Sequence, residues 1–352
     1  MAKTKKEKAL KIGVLKPDNI GDAVLASPFF FELRKKYHKA VITGILSPAG
    51  ARVLEGLGVF DSVLIVNAEW LKYKKTSWCR RWGSAALILQ AVNKEKFDML
   101  IGMRYRDRLS SLILSCAKAG KKIGYAVGGA GFGITDKVNL PPAGLHETKK
   151  NALLLKHLGI KSGSKMKFGV STSPEAKKNM KALLEKGKIK KYIVIHPVSG
   201  HISKDYKKYE AVSKALSKKF QIVIVGAKED KAAREILGNN IYNFTGLLTI
   251  KEMGELIKGA RLVIGNDSAA VHMAFALGVK TLTVFSGAAR YEEWGTVGNK
   301  AYLMVKETEC RGCELAVCNR KGECLDIAPE AVIKTALDII NGKINKKIIK
   351  TK

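Results

Sequence analysis

Short apolar runs rich in strand-forming residues alternate with longer stretches of helical periodicity almost from end to end, the pattern of parallel strands joined by crossover helices. In the first half this pattern predicts strands at 12–15, 41–45, 62–66, 98–101 and 122–125. In the second half it predicts strands at 192–195, 221–225, 241–244, 262–264 and 281–285. A helix is expected to begin near Ala23 and another to occupy about 146–158. Residues 161–174 (KSGSKMKFGVSTSP) are rich in Gly, Ser and Lys with little apolar period, which reads as a linker. The expectation is two α/β domains, 1–160 and 175–342, with ligand loops at their strand C-termini facing across a cleft, and a basic tail at 343–352.

Composition narrows the class. In 352 residues, 63 Lys and Arg oppose 31 Asp and Glu, a formal charge of +32, and 46% of residues are hydrophobic. Disorder is excluded, and no apolar run approaches the roughly 18 residues that a membrane-spanning helix needs. The opening MAKTKKEKALKIGVLK carries charge where a secretory signal has an apolar core, so the chain is expected in the cytoplasm. So large a surplus of positive charge calls for an anionic partner: nucleic acid, anionic lipid or a phosphorylated substrate.

Four loops carry candidate chemistry. Lys16-Pro-Asp-Asn-Ile-Gly-Asp22 joins the first strand to the first helix, where the helix terminus stabilises the Asp22 carboxylate. On position alone Asp22 reads first as an N-cap. Gly265-Asn-Asp-Ser-Ala-Ala-Val-His272 is again strand, turn and helix, with Asp267 or Ser268 as cap and the amides of Ser268–Ala270 open to a diphosphate. A lone His272 there is most simply a structural residue. His196–Lys204 and Gly226–Asp230 each follow a strand, so that Ser199, Lys204, Asp230 and His272 together would form a nucleotide pocket, with cations for phosphate and a carboxylate for ribose. Gly128-Gly-Ala-Gly-Phe-Gly133 lacks the spacing of a dinucleotide fingerprint, and no Walker lysine motif occurs.

The phrases IGDAVLASPFFFELRKKY and FTGLLTIKEMGELIKGARLVIGNDSAAVHMAFALGVKTLTVFSG, with the pair His146-Glu147 and Trp294, make the chain similar to glycosyltransferase family 9, the ADP-heptose:lipopolysaccharide heptosyltransferases. The match runs from Lys11 to about Ile340. The resemblance implies a GT-B fold of two Rossmann-like domains, the N-terminal one binding acceptor and the C-terminal one nucleotide-sugar. It implies transfer of a heptose from ADP-heptose to a lipopolysaccharide inner core with inversion, and Asp22 matches the catalytic aspartate. Lys16 matches a basic residue of the same loop and is expected on the acceptor. Ser199 and Lys204 fall where the family holds the diphosphate, Asp230 near the ribose and Leu248 near the adenine. Asp267, Ser268, Ala269 and His272 match the motif D-[ST]-G-x-x-H except that Ala269 replaces its glycine, and Ser286 replaces a second glycine that many members carry. An Ala keeps the amide but disfavours positive φ. No D-x-D motif occurs, so positive side chains and a helix terminus, with no cofactor, are expected to hold the diphosphate.

Residues 70–82 hold Trp70, Trp78 and Trp82 with Lys72, Lys74, Lys75, Arg80 and Arg81, an amphipathic cationic segment suited to an anionic membrane. A solvated helix face explains the lysines equally well. Arg104, Arg106 and Arg108 follow the fourth strand and are the better candidates for acidic groups of the acceptor. The five lysines of 343–352 read as a solvated or lipid-attracted tail. Cys310, Cys313, Cys318 and Cys324 match a structural metal site by count and not by any standard zinc-ribbon spacing. These features predict a peripheral enzyme of the inner membrane's cytoplasmic face. The alternatives are a transferase using another nucleotide-sugar and a basic nucleic-acid-binding protein, the second disfavoured by the lack of any nucleic-acid motif.

Overall fold

A computed structural model describes residues 9–351 except 72–75, 140, 142, 162, 164, 165, 316 and 345. The chain divides into two compact units, Met1–Lys167 and Phe168–Lys352, so the boundary lies within 161–174.

The first unit is a six-stranded sheet of β1 (Lys11–Lys16), β2 (Val41–Leu46), β3 (Ser62–Ile65), β4 (Met99–Gly102), β5 (Lys121–Tyr125) and β6 (Asp136–Val138). The spatial order is β3-β2-β1-β4-β5-β6, and every pairing is parallel. Its helices are α1 (Ile20–Lys36), α2 (Pro48–Leu54), α3 (Trp78–Glu95), α4 (Arg108–Cys116) and α5 (Glu147–His157). α1 packs with α2 and α5, and α3 packs with α4. Right-handed crossovers put these two groups on opposite faces of the sheet. That is why β1 reads as a continuous apolar run with no alternation: both its faces are covered.

The second unit repeats the winding. Its sheet contains β7 (Tyr192–His196), β8 (Gln221–Ile224), β9 (Ile241–Asn243), β10 (Leu262–Asn266), β11 (Thr281–Phe285), β12 (Ala301–Lys306) and β13 (Ile348–Thr351). The order is β13-β12-β11-β10-β7-β8-β9, all parallel. The helices are α6 (Pro174–Lys186), α7 (Tyr209–Leu216), α8 (Lys231–Arg234), α9 (Ile250–Gly259), α10 (Ala269–Ala276), α11 (Tyr291–Trp294) and α12 (Pro329–Ile340). Its core joins Ile193, Ile195, Ile264, Leu282 and Met304 of the sheet to Val212 and Leu216 of α7 and to Val332 and Ile339 of α12.

Both sheets thus reverse their winding once, between β1 and β4 and between β7 and β10. At such a switch point the loops leaving the two strand C-termini diverge and leave a crevice for ligands. The close fit at the second switch point needs Gly265: a Cβ there would lie 2.9 Å from the His196 carbonyl oxygen and 3.3 Å from Val271 Cγ1.

The ten strands expected from the pattern all form. β6, β12 and β13 were not anticipated. The last corrects the reading of 343–352 as a solvated tail, because Ile348–Thr351 pair with β12 from Leu303↔Ile348 to Lys306↔Thr351. Lysine density hides the strand in the sequence. Lysines on an edge strand are also what keeps it from pairing with another chain. No helix among the described residues is long and apolar enough to cross a membrane.

Candidate functional site

The first unit's switch point is built on buried charge. Lys16 ends β1 with 2% of its surface exposed, and its Nζ lies 3.4 Å from both Asp18 Oδ2 and Glu147 Oε1. Arg104, just past β4, donates to Asp18 Oδ1, and its Nε lies 3.0 Å from Asp107 Oδ2. Asp107 caps α4 through Leu109 N and also accepts from Ser110 Oγ at 2.6 Å and Trp70 Nε1 at 2.8 Å. Glu147 opens α5 beside the capping His146, and Lys150, one turn on, donates to Tyr105 Oη and lies 3.9 Å from Glu147 Oε2. Buried charges are tolerable only when paired in this way.

Asp22 is the third residue of α1, and Asn19 stands at the N-cap position, so Asp22 is not the cap. It stands in the first turn, where amides and the helix dipole favour a negative charge, and it is half-buried. Of the three arginines expected to face an acceptor, Arg104 is spent on Asp18 and Asp107. Arg106 and Arg108 are exposed: Arg106 lies over the Tyr105 ring at 5.5 Å, and Arg108 donates to the Gly128 carbonyl at 3.1 Å. Lys16 is likewise turned inward and holds the loop instead of meeting solvent.

At the second switch point β7 and β10 deliver Ser199, Lys204, Asp267, Ser268, Ala269 and His272. Lys204 Nζ lies 2.6 Å from Asp267 Oδ2, and His272 Nε2 lies 3.1 Å from Oδ1 of the same carboxylate. Burial alone pushes the Asp267 pKa up. The Lys204 ammonium and His272 more than offset this and hold the carboxyl well below the usual range. His272 Nδ1 is buried and has no hydrogen-bond partner among the described residues. Ser268 is the N-cap of α10, and its Oγ lies 2.9 Å from His196 Nδ1 instead of capping the helix. Burial lowers the His196 pKa to about 4, and burial with the Lys204 charge does the same to His201, so both rings are neutral near pH 7.

Ser199 is folded into its own loop, with Oγ 2.8 Å from Asp205 Oδ1 and the Ser199 amide donating to the same oxygen at 2.7 Å. Burial raises the Asp205 pKa against these bonds. Asp230 accepts from Ala227 N at 2.7 Å, and burial raises its pKa too. Leu248 is half-buried in the loop between β9 and α9. Ala269 opens α10 and is not among the residues with positive φ, so alanine in place of glycine costs nothing there and keeps its amide. Ser286 is buried and accepts from Ala288 N at 3.3 Å, also without positive φ.

Sequence reasoning missed Asp18, Asp107, Tyr105, Glu147 as an ion-pair partner, and Lys150. Two of them carried a signal, Asp18 by its place within KPDNIGD and Glu147 by the pair His146-Glu147. Trp70, expected on the membrane segment, is instead half-buried and bonded to Asp107, and Lys72, Lys74 and Lys75 lie outside the described residues. The four cysteines share one stretch: Cys318 Sγ accepts from Arg320 N and Gly322 N at 3.3 Å, and Cys324 is buried. Among the described residues, no three His, Cys, Asp or Glu side chains gather as a set able to hold a metal ion.

The sequence pattern of glycosyltransferase family 9 (heptosyltransferase) matches residues 86–322. Lipopolysaccharide heptosyltransferase 3 of Escherichia coli is 25% identical over 288 residues, covering 78% of this chain and 82% of its own length. The crystal structure of a family 9 glycosyltransferase from Veillonella parvula superposes with a TM-score of 0.78 at 17% identity, covering 96% of this chain and 99% of that one. The structure of E. coli ADP-heptose lipopolysaccharide heptosyltransferase II gives 0.72 at 16% identity, over 95% and 99%. The shared fold is GT-B.

Proposed function

The chain belongs to glycosyltransferase family 9, and from that premise we propose that it moves a heptose from ADP-heptose to a lipopolysaccharide inner-core sugar, inverting the anomeric carbon, with Asp22 as general base. Membership itself makes the chain a heptosyltransferase-like glycosyltransferase of lipopolysaccharide biosynthesis. The observation that carries the finer reading is the Lys204–Asp267 pair beside the first amides of α10, at the switch point of the second unit.

The ADP diphosphate meets Lys204 and the α10 amides, which stabilise the negative charge that grows as the bond from C1 to the diphosphate oxygen breaks. The electron pair leaves with ADP. Asp267, oriented by His272, accepts a hydrogen bond from a sugar hydroxyl, Asp230 takes the ribose and Leu248 the adenine. In the first unit Asp22 accepts the proton of the acceptor hydroxyl as its oxygen forms the new bond to C1, a role typically worth about 10²–10⁴ in rate. Arg106 and Arg108 meet acidic groups of the acceptor, and the Lys16–Asp18–Arg104–Glu147 network fixes the loop that carries Asp22. No metal is needed when fixed cations and amides hold the diphosphate. The enzyme works peripherally, on the cytoplasmic face of the inner membrane, and not on nucleic acid.

The test is a panel of ADP-, UDP- and GDP-sugars incubated with a heptose-deficient inner-core acceptor and read by mass spectrometry. ADP-heptose is expected to give a product one heptose heavier. Exclusive turnover of a UDP- or GDP-sugar would replace the donor while leaving the family intact.

A further inference from the structure

Exposed apolar side chains are concentrated on one face of the first unit. Of fifteen exposed large apolar residues among those described, five lie on β3 and α3: Val63, Ile65, Trp78, Trp82 and Leu87. β3 is an edge strand of its sheet. Trp78 and Trp82, one helical turn apart, are 71% and 41% exposed with ring centroids 5.7 Å apart, and Leu87 is 67% exposed. From Trp82 to Asn93 the helix carries no charged residue, although 27% of the chain is charged. A helix on a protein surface ordinarily turns charge to water. The outward positions of α3 are instead Gly83, Ala86, Leu87 and Gln90. Beside them a groove of about 640 Å³ runs between α3 and β3, walled by Ile65, Val66, Leu87, Ile88 and Ala91, with Arg80 and Glu69 also lining it.

We propose that this face docks on an anionic lipid bilayer, with α3 lying in the interface. Trp78 and Trp82 sit at headgroup depth, Arg80 and Arg81 meet lipid phosphates, and the groove beside Leu87 and Ile65 receives acyl chains. The proposal rests on the transferase reading only in that a lipid-linked acceptor gives the docking its use. Charge selects lipid over a second copy of the chain. Arg80 and Arg81 stand at one end of α3, and Lys94, Glu95 and Lys96 leave the other end positive as well. Two copies paired along α3 in either direction would therefore set like charges together, in a chain of net charge +32. The docking surface differs from the one expected from sequence, since Trp70 is turned toward Asp107 and apolar residues beyond Trp82 carry the contact.

The full chain is sedimented with vesicles of phosphatidylglycerol and phosphatidylcholine, and with pure phosphatidylcholine, while brominated acyl chains report tryptophan depth by quenching. Strong binding to the anionic vesicles with quenching is expected. Trp78→Ser/Trp82→Ser should abolish the quenching and weaken partition roughly tenfold or more. Arg80→Gln/Arg81→Gln should weaken it about thirtyfold. Both variants alter exposed side chains and should keep the wild-type melting temperature and transfer to a soluble acceptor fragment. Unchanged vesicle binding in both overturns the proposal, as does a wild-type dimer that the tryptophan changes dissociate without loss of lipid binding. Binding that follows these variants in a chain that transfers nothing from any ADP-, UDP- or GDP-sugar upholds the docking surface and refutes the transferase reading.

Discussion

Lys204 Nζ stands 2.6 Å from Asp267 Oδ2 across the switch point of the second sheet, joining a loop that leaves β7 to the turn that ends β10. The pair is largely buried, and it holds the Asp267 carboxyl down against the upward push of burial.

Lys204→Ala should therefore do two separable things. It removes a charge-assisted contact to the diphosphate, so ADP affinity measured by calorimetry falls about ten- to a hundredfold. It also strands the Asp267 carboxylate, at a cost on the order of 2 kcal/mol because Lys204 is partly solvated, or about 4–8 °C in melting temperature. Lys204→Ala/Asp267→Asn should recover the melting temperature and not the affinity. Recovery of both would mean that Lys204 serves structure alone.

His196 and His201, both half-buried, give stability a pH dependence of known sign. His196 and His201 have pKa values lowered to about 4 in the folded chain, against 6.5 for an unperturbed ring. Between these values the unfolded chain binds more protons than the folded one, so stability rises with pH across the window and is lost as pH falls from about 6.5 toward 4. Melting temperatures measured across that range should show the slope, and His196→Gln/His201→Gln should flatten it. An unaltered slope in the double variant would contradict the neutral state of these rings.

The two arginines next to Tyr105 should separate. Arg106→Ala removes an exposed charge and is expected to raise the Michaelis constant for acceptor while leaving ADP binding and melting temperature alone. Arg104→Ala leaves Asp18 and Asp107 short of a partner, so its main effect should be a lower melting temperature. Loss of ADP binding in Arg106→Ala would place the two substrates in the wrong units.

The strands were legible because a parallel sheet covered on both faces leaves unbroken apolar runs, such as Ile193–Ile195 and Ile222–Ile224. β6 is only Asp136-Lys137-Val138, too short and too polar to stand out, and the lysines around Ile348 and Ile349 hide β13. The loops carrying Asp22, Lys204, Asp267 and His272 were legible as motifs because each is local in sequence. The network that holds them is not local. Asp18 meets Arg104 across 86 residues and Lys16 meets Glu147 across 131, pairings that only the sheet order determines. A local reading therefore gave Lys16 and Arg104 to substrate, whereas the folded chain uses their charge internally. It also took Asp22 for a helix cap, although Asn19 occupies that position.

Chelation gives a test of how the diphosphate is held. If Lys204 and the α10 amides suffice, activity in excess EDTA equals that in its absence. A loss restored by magnesium or manganese would show that a cation shares the task.

The most direct measurement is the rate of ADP release from ADP-heptose, with and without a heptose-deficient inner-core acceptor, by the wild-type chain and by Asp22→Asn. Acceptor-dependent release by the wild type is predicted, with a product of inverted anomeric configuration by nuclear magnetic resonance. Asp22→Asn should bind ADP-heptose as tightly and turn over about a hundredfold more slowly or worse. Release that ignores the acceptor, or a folded Asp22→Asn variant with near-normal turnover, would contradict the account.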